Sequence, residues 1–393
     1  MSIIPQILTF ATLSVALSAQ AAPSTPVHAF LPPLTGLVLT CKNANMHNLI
    51  PQLQGFLHTH GLPSPYTKIT ATSNTLSATL TYPTSTTKLH ESPYFRHNPE
   101  VLLHKPGTGM VPVSSITEIL AAMLSPGRTS TVDLTTSSGQ CSFDELEEHL
   151  AIRQNITLWS TALSWVFPDG GPAKWNTNFW NKGTPLQSTT AFTVAAFADP
   201  FLNPKSYEIG CYTATKLVIA QAFLDYYSRL NPNPRKLEKV VQLLWSDKDP
   251  LVDIEPYGFW AFEDDHDTSL PQGPGKLMAE SHSIAPNHFI PGDWSYFLNP
   301  DAISYAKAGY EGSNAIYLGR NRFDDYYADT ERGYYTYEQK LDEVYQWRHG
   351  VFSRRNHAHL IQPLTSEQLQ QLALPPSQQG LVLTTRLIPI QVK

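Results

Sequence analysis

Apolar positions fall in separate blocks along the chain, alternating with polar ones in some and recurring every three to four residues in others. Together they predict an α+β protein. Residues 36–40, GLVLT, are a short apolar run of strand type, and residues 46–61 carry apolar positions at helical spacing. Two alternating segments, TKITATS and LSATLTYP, predict strands, and SSITEILAAML predicts a helix stopped by Pro126-Gly127. A strand, TVDLTT, and a helix, FDELEEHLAI, follow, the helix with Ser142 and Glu145 spaced as a capping box. Beyond the Gly/Pro/Asn/Trp-rich passage PDGGPAKWNTNFWNKG, which reads as a loop, residues 207–227 form a long and nearly uncharged run. Only Lys216 and Asp225 are charged between residues 212 and 227, so this helix belongs inside the fold. A second helical stretch, RKLEKVVQLLW, precedes two strand-like segments, WSYFL and AIYL, the first set off by the turn Pro291-Gly292-Asp293 and the second stopped by Gly319.

With 393 residues, 41% hydrophobic and 15% charged, the chain has the length for two units and a composition far from that of a highly charged disordered protein. The predicted organisation is a signal peptide over 1–22, a Pro/Ala-rich linker over 23–34, a small α+β unit over 35–128 and a second unit over 129–393. The signal reading rests on a short apolar stretch ending in Ala19-Gln20-Ala21, without the usual positive flank. Its apolar length falls short of the roughly 20 residues of a membrane span, so the expected location is secreted, with no stable membrane association. A net charge of −6 speaks against nucleic acid as a partner.

Export changes the reading of the three cysteines, Cys41, Cys141 and Cys211. Cys41 and Cys141 both fall in the N-terminal part and are paired here as a disulfide, leaving Cys211 free. Cys211 heads the apolar helix, where unsatisfied amides and the positive dipole end favour a thiolate. Gly210 before it leaves room for a substrate. A small hydrophobe packed at a helix end is the alternative, and position alone leaves both open. Trp165, Trp175 and Trp180 are expected to pack, the sequon Asn155-Ile156-Thr157 is a weak glycan signal, and the acidic EDDHD, residues 263–267, reads as an exposed loop with no metal role. His58 and His60 fit a helix end, and no role is assigned to His349, His357 or His359.

Cys211, the segment HFIPGDWSYFLNP and then GSNAIYLG, in this order and spacing, resemble the bacterial spore-coat type of protein-glutamine gamma-glutamyltransferase, a transglutaminase with an NlpC/P60-like, papain-related core. The resemblance runs from about residue 129 to 359. It implies a papain-like C-terminal domain in which a helix headed by cysteine packs on an antiparallel sheet. It further implies attack of Cys211 on a protein glutamine, loss of ammonia, and capture of the thioester by a lysine amine or by water, with no cofactor and no metal. Protein substrates with exposed Gln and Lys are the implied partners. The family carries a glutamate just before the Asn of the Asn-x-Ile-x-Leu-Gly piece and another before the cysteine. Ser313 and Gly210 stand there in this chain. Glu311, on the same strand face as Ser313, and Glu208, three residues before the cysteine, are the substitute acid/base candidates. The family's later histidine has Arg332 in its region, and His288 stands ahead of the Gly-Asp turn, where the bacterial family tends to carry histidine. A cysteine amidase or peptidase of the NlpC/P60 type, or a non-catalytic binding protein with a decayed site, are the rival readings.

Overall fold

The computed structural model describes residues 36–42, 44–81, 100–126, 129–169, 171–246, 277–282, 289–307, 309–350, 364–374, 378–381, 385–389 and 391–392. The signal and linker readings, EDDHD, His288, His357 and His359 lie outside the described residues.

The first elements are β1 (Gly36–Thr40), α1 (Ile50–Thr59), β2 (Thr67–Ala71) and β3 (Thr75–Leu80). A hairpin of β4 (Val101–Lys105) and β5 (Gly109–Val113), then α2 (Ile116–Leu124) and β6 (Thr129–Asp133), follow. Strand order in the first sheet is β2-β3-β1-β6, with β6 parallel to β1 and the other pairs antiparallel. α2 begins where the Ser115 hydroxyl accepts the Glu118 N–H and ends at Ser125, ahead of Pro126. The core beneath this sheet joins Leu37, Leu39, Leu53 and Leu120 to Leu146, Leu150 and Ile290 from later in the chain. Cys41 and Cys141 form the expected disulfide across a sequence separation of 100.

α3 (Asp144–Ser160) is longer than its predicted first half, because Ile152, Ile156 and Trp159 extend one apolar face through it. The predicted capping box at its start is not formed. Ser142 accepts the Asp144 N–H, the helix begins after Phe143, and no side chain caps it. Asn155 is 1% exposed and donates to the Ala222 carbonyl and to Asp225, so the sequon is closed to a glycan in the folded chain. The aromatic-rich loop holds the short strands β7 (Trp180–Asn181) and β8 (Thr184–Pro185), with Trp165 and Trp180 in the core.

α4 (Thr190–Leu202), α5 (Cys211–Asp225) and α6 (Pro234–Ser246) come next, and Ala214 to Asp225 are buried without a break. β9 (Met278–His282), β10 (Trp294–Leu298), the short α7 (Ala302–Tyr305), β11 (Gly312–Gly319), β12 (Arg322–Asp324), β13 (Tyr334–Thr336), α8 (Tyr337–Arg348), α9 (Ser366–Leu372) and β14 (Thr385–Pro389) complete the chain. The second sheet runs β13-β12-β11-β10-β14-β9 and is antiparallel throughout. Every residue of β11 is buried because it is covered on both faces. Ile316 and Leu318 face the α3–α5 core, while Ala315 and Tyr317 face α8 with Leu341 and Val344. Gly292, at a φ of +86°, makes the turn before β10, and a Cβ there would lie 2.9 Å from the Arg153 carbonyl oxygen. Glycine thus lets the turn dock on α3.

Candidate active site

Cys211 occupies the first turn of α5 behind Gly210, whose backbone is extended and whose carbonyl accepts the Ala214 N–H. No side-chain hydrogen bond of Gly210 caps this helix end, and the positive end of its dipole lies at the cysteine. Cys211 as a residue is half-buried.

The hydrogen bonding of β11 explains how the sulfur meets the sheet. Odd-numbered residues bond toward β10: the Asn299 N–H donates to the Glu311 carbonyl and the Tyr317 N–H to the Asp293 carbonyl. Even-numbered amides therefore point off the opposite edge. There the Ile316 N–H donates to Asp324 Oδ1 at 3.1 Å, and one step earlier the Asn314 N–H reaches Cys211 Sγ at 3.4 Å. β12 pairs β11 only from Tyr317 onward, which leaves that edge open to the cysteine. The Asn314 side chain adds a second donor, Nδ2 to Sγ at 3.6 Å. Its orientation is fixed by the Trp294 indole N–H, which donates to Asn314 Oδ1 at 2.9 Å.

On the other face of β11, Ser313 meets α8. Lys340 Nζ lies 3.2 Å from Ser313 Oγ and 3.2 Å from Glu343 Oε2, and Ser313 Oγ is 3.4 Å from the same carboxylate oxygen. The ammonium also sits 4.0 Å from the Tyr335 ring centroid. Burial pushes the Cys211 thiol pKa up; the two Asn314 donors and the Lys340 charge pull it down, and Glu343 pushes it up. Behind the site the Tyr326 hydroxyl meets Thr215 Oγ1, whose hydroxyl bonds the Cys211 carbonyl at 2.8 Å. Asp324 is fully buried beside Tyr326 and its carboxyl is held well above the usual range by that burial.

The two glutamates chosen from the sequence are placed as follows. Glu208 sits before the helix with its carboxylate 3.3 Å from Lys174 Nζ, both side chains substantially exposed. Glu311 turns one carboxylate oxygen to the Gly309 N–H at 3.1 Å, while its carbonyl accepts from the Tyr296 hydroxyl. Sequence reasoning passed over Asn314, Trp294, Lys340 and Glu343. The one available signal was the (i, i+3) spacing of Lys340 and Glu343 behind Thr336 and Gln339, which do form a capping box. Among the described residues, no group of three or more His, Cys, Asp or Glu is arranged to hold a metal, and no helix is long and apolar enough to cross a membrane.

A thiol at a helix head, held by a strand of an antiparallel sheet, defines this as an α+β protein with a cysteine-centred site. The family model described as protein-glutamine gamma-glutamyltransferase matches residues 135–373, more than half of the chain, and the chain belongs to that family of acyltransferases. Such enzymes act on protein glutamine and lysine side chains. Among solved structures, a transglutaminase from Geobacillus stearothermophilus, without its C-terminal extension, is similar at 20% identity, with a TM-score of 0.36 over 51% of this chain and 83% of that one. No curated protein matches the chain.

Proposed function

We propose that the protein is a secreted transglutaminase with Cys211 as its nucleophile, acting within a papain-like arrangement of α5 against the second sheet. Residues 35–128 are proposed as an α+β unit ahead of a catalytic region over 129–393, with its sheet and core shared with β6, Leu146, Leu150 and Ile290, behind a signal peptide over 1–22 and a linker over 23–34. The Cys41–Cys141 disulfide supports an oxidising compartment.

In the reaction, the sulfur attacks the carboxamide carbon of a protein glutamine. A C–S bond forms, the C–N bond breaks, and the nitrogen leaves as ammonia once it has gained a proton. A lysine amine then attacks the thioester, giving the isopeptide bond and returning the thiol; water in its place gives deamidation. The observation that carries this reading is the thiol of α5 held by the two Asn314 donors at the open edge of β11. Both donors stabilise a negative sulfur against its burial. Glu311 and Glu208 are the proposed carboxylates for proton transfer, by their closeness in the chain to β11 and to the cysteine.

Incorporation of a fluorescent primary amine into casein tests the proposal. Cys211→Ala is expected to abolish labelling and Glu311→Gln or Glu208→Gln to depress it. Labelling retained by Cys211→Ala would overturn it.

A further inference from the structure

Lys340, Glu343 and Ser313 form a closed triangle of polar contacts, each side 3.2–3.4 Å, on the face of β11 opposite Asn314. Lys340 is 5% exposed, and a charge so placed needs both a partner and a reason, since a hydrophobic residue would fill the space without the desolvation cost. The neighbouring residue of the strand, Asn314, holds the sulfur by its backbone N–H, so triangle and thiol are joined through one peptide unit. Gly312, on the other side of Ser313, packs its backbone against the Tyr296 ring, where a Cβ would lie 2.5 Å from the ring.

We infer that Lys340 and Glu343, anchored on Ser313, are positioning residues that set the charge of Cys211: the ammonium supports the thiolate, and the carboxylate holds the ammonium in place and moderates it. This deepens the proposed function, since it rests on Cys211 as nucleophile. The groups facing the thiol are then accounted for element by element. Asn314 and the Gly312 carbonyl, 4.0 Å from Sγ, come from β11, Lys340 and Glu343 from α8, Tyr296 from β10, and Tyr326 from the segment after β12. Lys340 in turn faces Asp324 at the end of β12 and the Tyr335 ring of β13. Lys216, on α5 itself, has its ammonium over the Tyr212 ring at 4.3 Å. The Lys340 charge lowers the thiol pKa and the Glu343 carboxylate raises it.

The two charges act on the thiol with opposite sign, and that gives a test that general loosening of the site cannot mimic. Alkylation of Cys211 by iodoacetamide is followed against pH in the full chain. Removing the cation in Lys340→Met is expected to move the midpoint up by about one unit, a roughly tenfold loss of thiolate at fixed pH below it. Lys340→Arg should restore most of the shift. Glu343→Gln, which keeps the shape and the contact to Lys340, should move the midpoint down. Where Lys340→Met does not fold, Glu343→Gln decides alone, with a downward shift in support. Midpoints that move in one direction for both variants, or a Glu343→Gln midpoint that stays put or rises, overturn the inference. Alkylation needs no turnover, so amine transfer that persists in Cys211→Ala defeats the proposed function separately, whatever these midpoints do.

Discussion

Two buried pairs of a cation and a carboxylate lie close to β10 and β11, and they are buried in different ways. Arg153 and Asp293 have side chains 2% and 0% exposed and are 2.8 Å apart. Further bonds hold both in place: Arg153 also donates to the Pro291 carbonyl and to His149 Nε2, and Asp293 accepts the Ile290 N–H. Lys340 and Glu343 have side chains 6% and 16% exposed and share the hydroxyl of Ser313, one residue before the N–H that reaches Cys211 Sγ. The first pair ties the Gly292 turn to α3 with its charges fully spent on protein groups. The second keeps a carboxylate within reach of water and an ammonium against an aromatic face, so its field acts on what lies next to it. Buried charge therefore serves as a fastener in one place and as a source of potential in the other.

The largest expected effect separates the two directly. Asp293→Ala leaves Arg153 buried without its counter-charge and should cost about 3–5 kcal/mol in urea unfolding. Glu343→Gln keeps a hydrogen-bonding side chain beside Lys340 and should cost less than about 1.5 kcal/mol while changing thiol reactivity. Costs in the reverse order would break the comparison. Next in size is the disulfide: replacing Cys41 and Cys141 by alanine should lower stability by about 2–4 kcal/mol and leave the pH midpoint of Cys211 alkylation where it was.

Smaller for each unit of pH, though it accumulates over several units, is the effect of acid. Burial, and next the Arg153 guanidinium, lower the His149 pKa from 6.5 to about 3, in keeping with Nε2 accepting the Arg153 N–H. Between those values the unfolded chain binds a proton that the folded chain does not. The stability from neutral His149 is therefore present above pH 6.5 and is lost as pH falls toward about 3. Its share of the slope is about 1.4 kcal/mol per pH unit. Urea midpoints measured across that window should show it, and His149→Gln should flatten it. The smallest is Trp294→Phe, which removes the donor that orients Asn314. The expected loss is about 1 kcal/mol of transition-state stabilisation, a severalfold fall in kcat/KM, with the fold intact.

Much of this was legible in the chain. The unbroken apolar run identified α5 as interior, the alternating segments gave β2 and β3, the Pro291-Gly292-Asp293 turn marked the start of β10, and the odd cysteine count separated Cys211 from a bonded pair. The β4–β5 hairpin was missed although Lys105-Pro106-Gly107-Thr108 interrupts two short alternating runs, the pattern of a turn. Ser142 misled because a serine three residues ahead of a glutamate can equally bond the amide two residues on. The Ser313–Lys340–Glu343 triangle could not be read, since it joins β11 to α8 across 27 and 30 residues and depends on which face of each element meets the other. Spacing within α8 put Lys340 and Glu343 on one side, but only the packing of that side against β11 gives them a thiol to act on.

In the proposed reaction Cys211 carries the acyl group. The most direct test is to mix the protein with a glutamine-containing peptide in the absence of amine, quench in acid and map the adduct by mass. The predicted result is the mass of the peptide less ammonia on the fragment containing Cys211, and none on Cys211→Ala. An adduct on another residue, or turnover of the peptide by Cys211→Ala, would contradict it.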